Sequence, residues 1–214
     1  MIKMIAIIDY GVGNLYSVEK AVAAVGGDVT ITSDEQDLEL ADKLILPGVG
    51  AFGDCMKNLE ETGLIPTILE QIKNKKPLFG ICVGLQILFE DSEESPNAKG
   101  LGIFKGTVKK IKADGLKIPH MGWNFVKVAR NNYAKFGESK FLAGLHSTPY
   151  FYFVHSYHAV PQDENLVAAR TFYGENITAA IEYENIFATQ FHPEKSGDVG
   201  LKVLKNFVDY EPNP

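Results

Sequence analysis

Three short segments in the first half of the chain, "MIAIID" at 4–9, "KLILPG" at 43–48 and "PLFGI" at 77–81, have interiors that are apolar at successive positions and do not alternate. A strand with one face in water alternates apolar and polar residues, so strands apolar on both faces belong to a parallel sheet covered on both sides. The segments between them read as helices. "NLYSVEKAVAAVGG" carries Leu15, Val18, Val22 and Val25 on one face and stops at glycines; "CMKNLEETGLIPTILEQIKNKK" reads as a helix broken near Pro66, and "VGLQILFE" as another. With "DVTITS" as a further strand, the first half predicts an α/β fold, a doubly wound, mostly parallel sheet flanked by helices.

After residue 91 the texture changes. A polar stretch, "DSEESPNAKG", leads into the strand-like pieces "GTVKKIKA", "WNFVKVAR", "YFYFVHSYHAV", "LVAARTFYG" and "ITAAIEYENIFATQF". Short turns join them, which predicts an antiparallel extension in the second half. A last helix, "GDVGLKVLKNFVDY", has Val199, Val203, Leu204 and Phe207 in helical register to close the core. With 214 residues, 45% of them hydrophobic, and neither a repeat nor a long linker, residues 1–214 are expected to form one domain.

The net charge of −6 and the scattered lysines argue against nucleic acid or an anionic membrane as partner. No apolar run reaches the ~18 residues of a membrane span. The opening "MIKMIAIIDYG" reads as a first strand and not a signal peptide, so a cytoplasmic location is expected, with Cys55 and Cys82 as free thiols. No His/Cys/Asp cluster has metal-ligand spacing. "DYGVGN" lacks the third glycine of a dinucleotide fingerprint, so no cofactor is expected.

The chemistry concentrates at "GICVGLQ", where Cys82 sits at a strand-to-helix turn with Gly80 two residues before and Gly84 two after. Small flanking residues let the backbone fold tightly and expose a nucleophile. A helix starting at Val83 would aim its NH groups and positive dipole end at the sulfur, favouring thiolate over thiol, and the Val83 NH can serve as an oxyanion donor. The alternative is a buried structural cysteine between two glycines. A thiolate needs a proton shuttle, and of five histidines only His192, in "TQFHPEKSG", has an acid two residues away, Glu194. In extended backbone i and i+2 share a side, so Glu194 can orient the imidazole, and Pro193 disfavours helix there. Alone, the motif also describes an exposed loop histidine beside a solvated glutamate.

"GICVGLQ" and "FHPE" resemble the two signatures of class I glutamine amidotransferases, which release ammonia from glutamine and have a flavodoxin-like fold. The ordered set "DYGVGN", "LPGVGAFGDCM", "GICVGLQ", "PHMGWN", "YFVHSYHA" and "FHPEKSG" covers essentially the whole chain and is similar to the branch of that family serving imidazole glycerol phosphate synthesis in histidine biosynthesis. The resemblance implies Cys82 as nucleophile, His192 as general base and acid, and Glu194 as orienting carboxylate. It assigns Val49 and Gly50, with Val83, to the oxyanion hole, and Gln86, His155, Ser156 and Tyr157 to glutamine. Apart from the resemblance, "LPGVG" is a plain turn, Gln86 a solvated helix residue and "YFYFVHSY" a half-buried strand.

Ammonia in water at neutral pH is mostly protonated and no longer nucleophilic. A chain used up by a glutaminase fold leaves no room for a domain that consumes it, which predicts a separate acceptor subunit. The resemblance implies a cyclase of (β/α)8 barrel form, in a heterodimer, with Asn14, Met121, Trp123 and Lys195 at the interface; core packing is the other reading of Trp123. A glycine-flanked peptide can turn over at little steric cost, so the "PGVG" wall is expected to complete the oxyanion hole only when partner and ribotide bind. A relative serving another synthase, a standalone cysteine hydrolase, and a regulatory module that has lost turnover are the competing readings.

Overall fold

The computed structural model describes residues 4–129, 139–146 and 148–212. The chain runs β1 (Met4–Ile8), α1 (Leu15–Ala24), β2 (Asp28–Thr32), α2 (Glu35–Leu40), β3 (Lys43–Gly48), α3 (Phe52–Thr62), α4 (Ile65–Lys73), β4 (Leu78–Cys82) and α5 (Val83–Gln86). The second half supplies β5 (Asp91–Ser92), β6 (Gly106–Lys110), β7 (His120–Phe125), β8 (Lys127–Val128), β9 (Tyr150–His155), β10 (Tyr157–Pro161), β11 (Val167–Tyr173), β12 (Glu175–Tyr183), β13 (Ile186–Thr189) and α6 (Gly197–Asp209).

Eight strands form the main sheet, in the order β2-β1-β3-β4-β13-β12-β11-β8. The pairs β1/β2, β1/β3, β3/β4 and β4/β13 are parallel, and β13 through β8 continue antiparallel. Every residue of β3 and β4 is buried, as continuous apolar runs at a sheet centre require, while β2 at the edge is mostly half-buried. Helix α1 packs with α6, and α2 and α3 pack with α4. Under α6, Phe207 contacts the rings of Phe79 and Phe187, which also meet Phe141. Two small sheets, β10-β6-β5 and the β7-β9 ribbon, stand apart from the large one.

The α/β architecture with an antiparallel extension is as expected; several boundaries differ. The long helix predicted after residue 54 divides at Gly63, left-handed at φ 73, and Pro66 lies in the first turn of α4, where its missing NH costs nothing. The helix expected over "VGLQILFE" is one turn, α5. "ITAAIEYENIFATQF" is two strands that turn at Glu184 (φ 51), and its second half joins the parallel sheet beside β4. "YFYFVHSYHAV" likewise divides at Ser156 into β9 and β10, which belong to different sheets. Neither turn carries a glycine or proline at its break, so no punctuation marks it in the sequence.

Candidate active site

Three parallel strands deliver the site from their carboxyl ends, where ligands of open α/β sheets gather. β3 leads into Val49 and Gly50, β4 ends on Cys82, and β13 is followed by His192. Cys82 has φ 56 and ψ −109, a conformation that side-chain-bearing residues rarely adopt and that marks a sharp elbow. Its tightness explains the glycines. A Cβ on Gly84 would lie 1.9 Å from the Leu46 carbonyl oxygen, and one on Gly80 2.8 Å from the Gly84 oxygen. Because α5 is a single turn, its first NH groups still face the elbow but no macrodipole builds up behind them, so the dipole contribution expected from a longer helix is absent.

His192 is 2% exposed and its backbone is clamped: its NH donates to Tyr152 O at 3.0 Å, and Ser196 Oγ donates to its carbonyl at 2.6 Å. His192 Nδ1 lies 2.8 Å from Glu194 Oε1, with both side chains nearly sealed from solvent. A carboxylate can only accept here, so Nδ1 carries the proton and Nε2 is left for the sulfur side. His192 is extended as expected, but Glu194 reaches it by a different route: Pro193–Lys195 form a 3-10 turn that folds the carboxylate back, where strand alternation was expected. Burial works against charging His192, but the Cys82 sulfur and the Glu194 carboxylate outweigh it and raise its pKa to about 10. His192 Nε2 and Glu194 Oε2 have no hydrogen-bond partner among the described residues.

Cys82, Val83, Val49, Gly50, Gln86, His155, Ser156, Tyr157 and His192 line one cavity of about 180 Å³. Lys195, expected at an interface, rims the same cavity. The Val49–Gly50 wall rests on two donors. Tyr10 OH donates to Pro47 O at 2.5 Å, and Cys55 Sγ to Val49 O at 3.4 Å. Burial pushes Cys55 up to about 11, so it remains a thiol and a donor at neutral pH. Gln86 is 3% exposed and not solvated; its Nε2 donates to Tyr157 O at 2.9 Å and to Gln190 Oε1 at 3.1 Å, and Gln190 Nε2 lies 3.7 Å from Cys82 Sγ.

Glu94 also lines the cavity and was missed by sequence reasoning. Its Oε2 accepts from the NH of Phe52 at the start of α3, but in "DSEESPNAKG" nothing separates it from its acidic neighbours. The remaining expected interface residues lie outside the cavity lining. Asn14 caps α1, accepting from Ser17 NH at 3.3 Å, while Met121 and Trp123 are 62% and 56% exposed, which removes the core-packing reading of Trp123. The turn carrying Lys195 packs against both α1 and β9, the strand paired with that of Trp123. Among the described residues no group of three His, Cys, Asp or Glu is placed to hold a metal ion, no helix is long and apolar enough to cross a membrane, and both cysteines are free thiols.

The family model for glutamine amidotransferase class-I matches residues 6–210. The chain is a class-I glutamine amidotransferase. Among similar amidotransferases, the imidazole glycerol phosphate synthase subunit HisH of Methanothermobacter thermautotrophicus is 53% identical over 206 residues, covering 96% of this chain and 98% of that one. The subunit of the same name from Aquifex aeolicus is 50% identical over 202 residues, 94% of each chain. Among solved structures, PurLQS from Thermotoga maritima superposes with a TM-score of 0.75 at 21% identity, over 98% of this amidotransferase and 99% of that chain, a likeness of fold.

Proposed function

We propose that this amidotransferase is the glutaminase subunit of an imidazole glycerol phosphate synthase. It hydrolyses glutamine and passes the ammonia to a cyclase subunit of (β/α)8 barrel form, in histidine biosynthesis. The carrying observation is that the strained Cys82 and His192, whose Nδ1 is held by the buried Glu194 carboxylate, line one cavity. Near-full-length similarity to subunits named for that synthase supports the choice of acceptor.

Burial opposes a charge on His192, but the Cys82 sulfur and Glu194 raise its pKa to about 10, so the ring can hold the proton that the attacking sulfur gives up. The Cys82 sulfur attacks the carboxamide carbon, and the resulting oxyanion is met by the Val83 NH and the Val49–Gly50 wall. Collapse breaks the C–N bond as His192 Nε2 gives its proton to the departing nitrogen, which leaves as ammonia. Neutral His192 then takes a proton from water, hydroxide adds to the thioester, and the thiolate leaves with glutamate formed. Glu194 holds the ring in the tautomer both steps need. Gln86, His155, Ser156 and Tyr157 hold the glutamine, and Asn14, Met121, Trp123 and Lys195 meet the cyclase.

Reconstituted with its cyclase, Cys82→Ala is expected to lose glutamine-dependent synthesis by at least a thousandfold and to keep ammonia-dependent synthesis. Loss of both, or of neither, defeats the assignment.

A further inference from the structure

The β7-β9 ribbon has two unlike faces. Outward it shows Met121, Trp123 and Phe125; inward it carries His120 and Asn124, and His120 is paired in register with His155. From Asn124 a chain of hydrogen bonds runs into the candidate active site. Asn124 Nδ2 lies 3.2 Å from His120 Nε2, His120 Nδ1 lies 3.0 Å from His155 Nε2, and His155 Nδ1 lies 2.9 Å from Tyr157 O.

The far end dictates every proton along it. A carbonyl only accepts, so His155 Nδ1 must donate to Tyr157 O, which leaves His155 Nε2 as acceptor. His120 Nδ1 must then donate, and His120 Nε2 accepts from Asn124. This pattern requires both rings neutral, and burial keeps them so, holding His120 down at about 4 and His155 at about 3. The His120 ring stacks on Phe153 at 4.8 Å and on Tyr173 at 4.2 Å, which fixes its plane. Tyr157 O also accepts from Gln86, which continues through Gln190 to the Cys82 sulfur. At the outer end, Asn124 Nδ2 also donates to the backbone O of Phe172, whose ring is 56% exposed.

We propose that His120 and Asn124 are positioning residues for glutamine hydrolysis: they supply the donor to His155 Nε2, hold that ring and through it the Tyr157 carbonyl in place, and so tie the cavity to the sheet whose outer face is exposed and apolar. The proposal rests on the glutaminase reading above. His120→Phe keeps the stacking and breaks the chain, whereas His120→Gln can still accept from Asn124 and donate to His155.

In the full chain with its cyclase, His120→Phe is expected to raise KM for glutamine about tenfold, the scale of a buried acceptor left unpaired, with the smaller change in kcat. His120→Gln is expected to stay within threefold of wild type. In the full chain alone, imidazole nitrogen NMR should find His155 protonated at Nδ1 in both proteins, with its Nε2 resonance in His120→Phe shifted to that of a nitrogen accepting no hydrogen bond. An unchanged KM or an unchanged His155 spectrum in His120→Phe overturns the proposal, as does equal damage from His120→Gln, which would mean packing alone. Should His120→Phe not fold, Asn124→Leu, which leaves the ring stack intact, is expected to raise KM about threefold, and no change there overturns it. Wild-type chain without glutamine turnover sinks the glutaminase reading itself; wild-type turnover matched by the variants sinks only this inference.

Discussion

At His192 burial disfavours the imidazolium, while Cys82 and Glu194 favour it, and the partners prevail, raising its pKa to about 10 from the ~6.5 of an unfolded chain. A group raised on folding stabilises the fold fully below its unfolded value, and that contribution is lost as pH climbs through the folded one. The difference in unfolding free energy between wild type and His192→Asn is therefore expected to be largest below pH ~6.5 and to shrink as pH approaches 10. Urea titrations of both proteins across that range check the slope; a difference that grows with pH is the wrong sign for this account. Cys82, His192 and Glu194 were legible as candidates because each announces itself within a few residues, by glycine spacing or by an acid two positions on. Glu94 and the His120–Asn124 chain were not. Their meaning depends on Phe52, His155 and Phe172, partners that only folding brings near.

Among the elements, those with strong periodicity or unbroken apolar runs were readable: β1, β3, β4, α1 and α6 fall where the pattern puts them. The misreadings sit where a turn lacks glycine or proline, at Ser156 and Glu184, or where an apolar helical stretch continues past a one-turn helix, after α5. Lys43 is an element-scale feature that residue type alone argues against, a fully buried lysine in a central strand. Its Nζ donates to the carbonyls of Phe207 and Val208, at 2.7 and 2.5 Å, and so caps the orphan end of α6. Lys43→Met keeps the stem's packing and leaves those carbonyls without their charged donor, for an expected loss of about 1–3 kcal/mol in urea unfolding. Stability equal to wild type would show the cap to be idle.

On the scale of the whole molecule, the parallel part of the main sheet gathers the carboxyl ends of β3, β4 and β13, and the cavity forms where their loops meet the β9–β10 break. Its architecture could be anticipated because parallel order follows from strands apolar on both faces; the separation of β7, β9 and β10 into two small sheets could not, since pairing partners leave no local signal. The expected dependence of turnover on the cyclase belongs to this scale, because the wall at Val49–Gly50 and the exposed face around Trp123 lie on different segments. The most direct measurement is an acid quench of the chain with its cyclase and glutamine, followed by peptide mass spectrometry. The account predicts a glutamyl adduct on Cys82, present in wild type, more abundant with the cyclase than without it, and absent in Cys82→Ala. An adduct on any other residue, or undiminished glutamate release by Cys82→Ala, would contradict it.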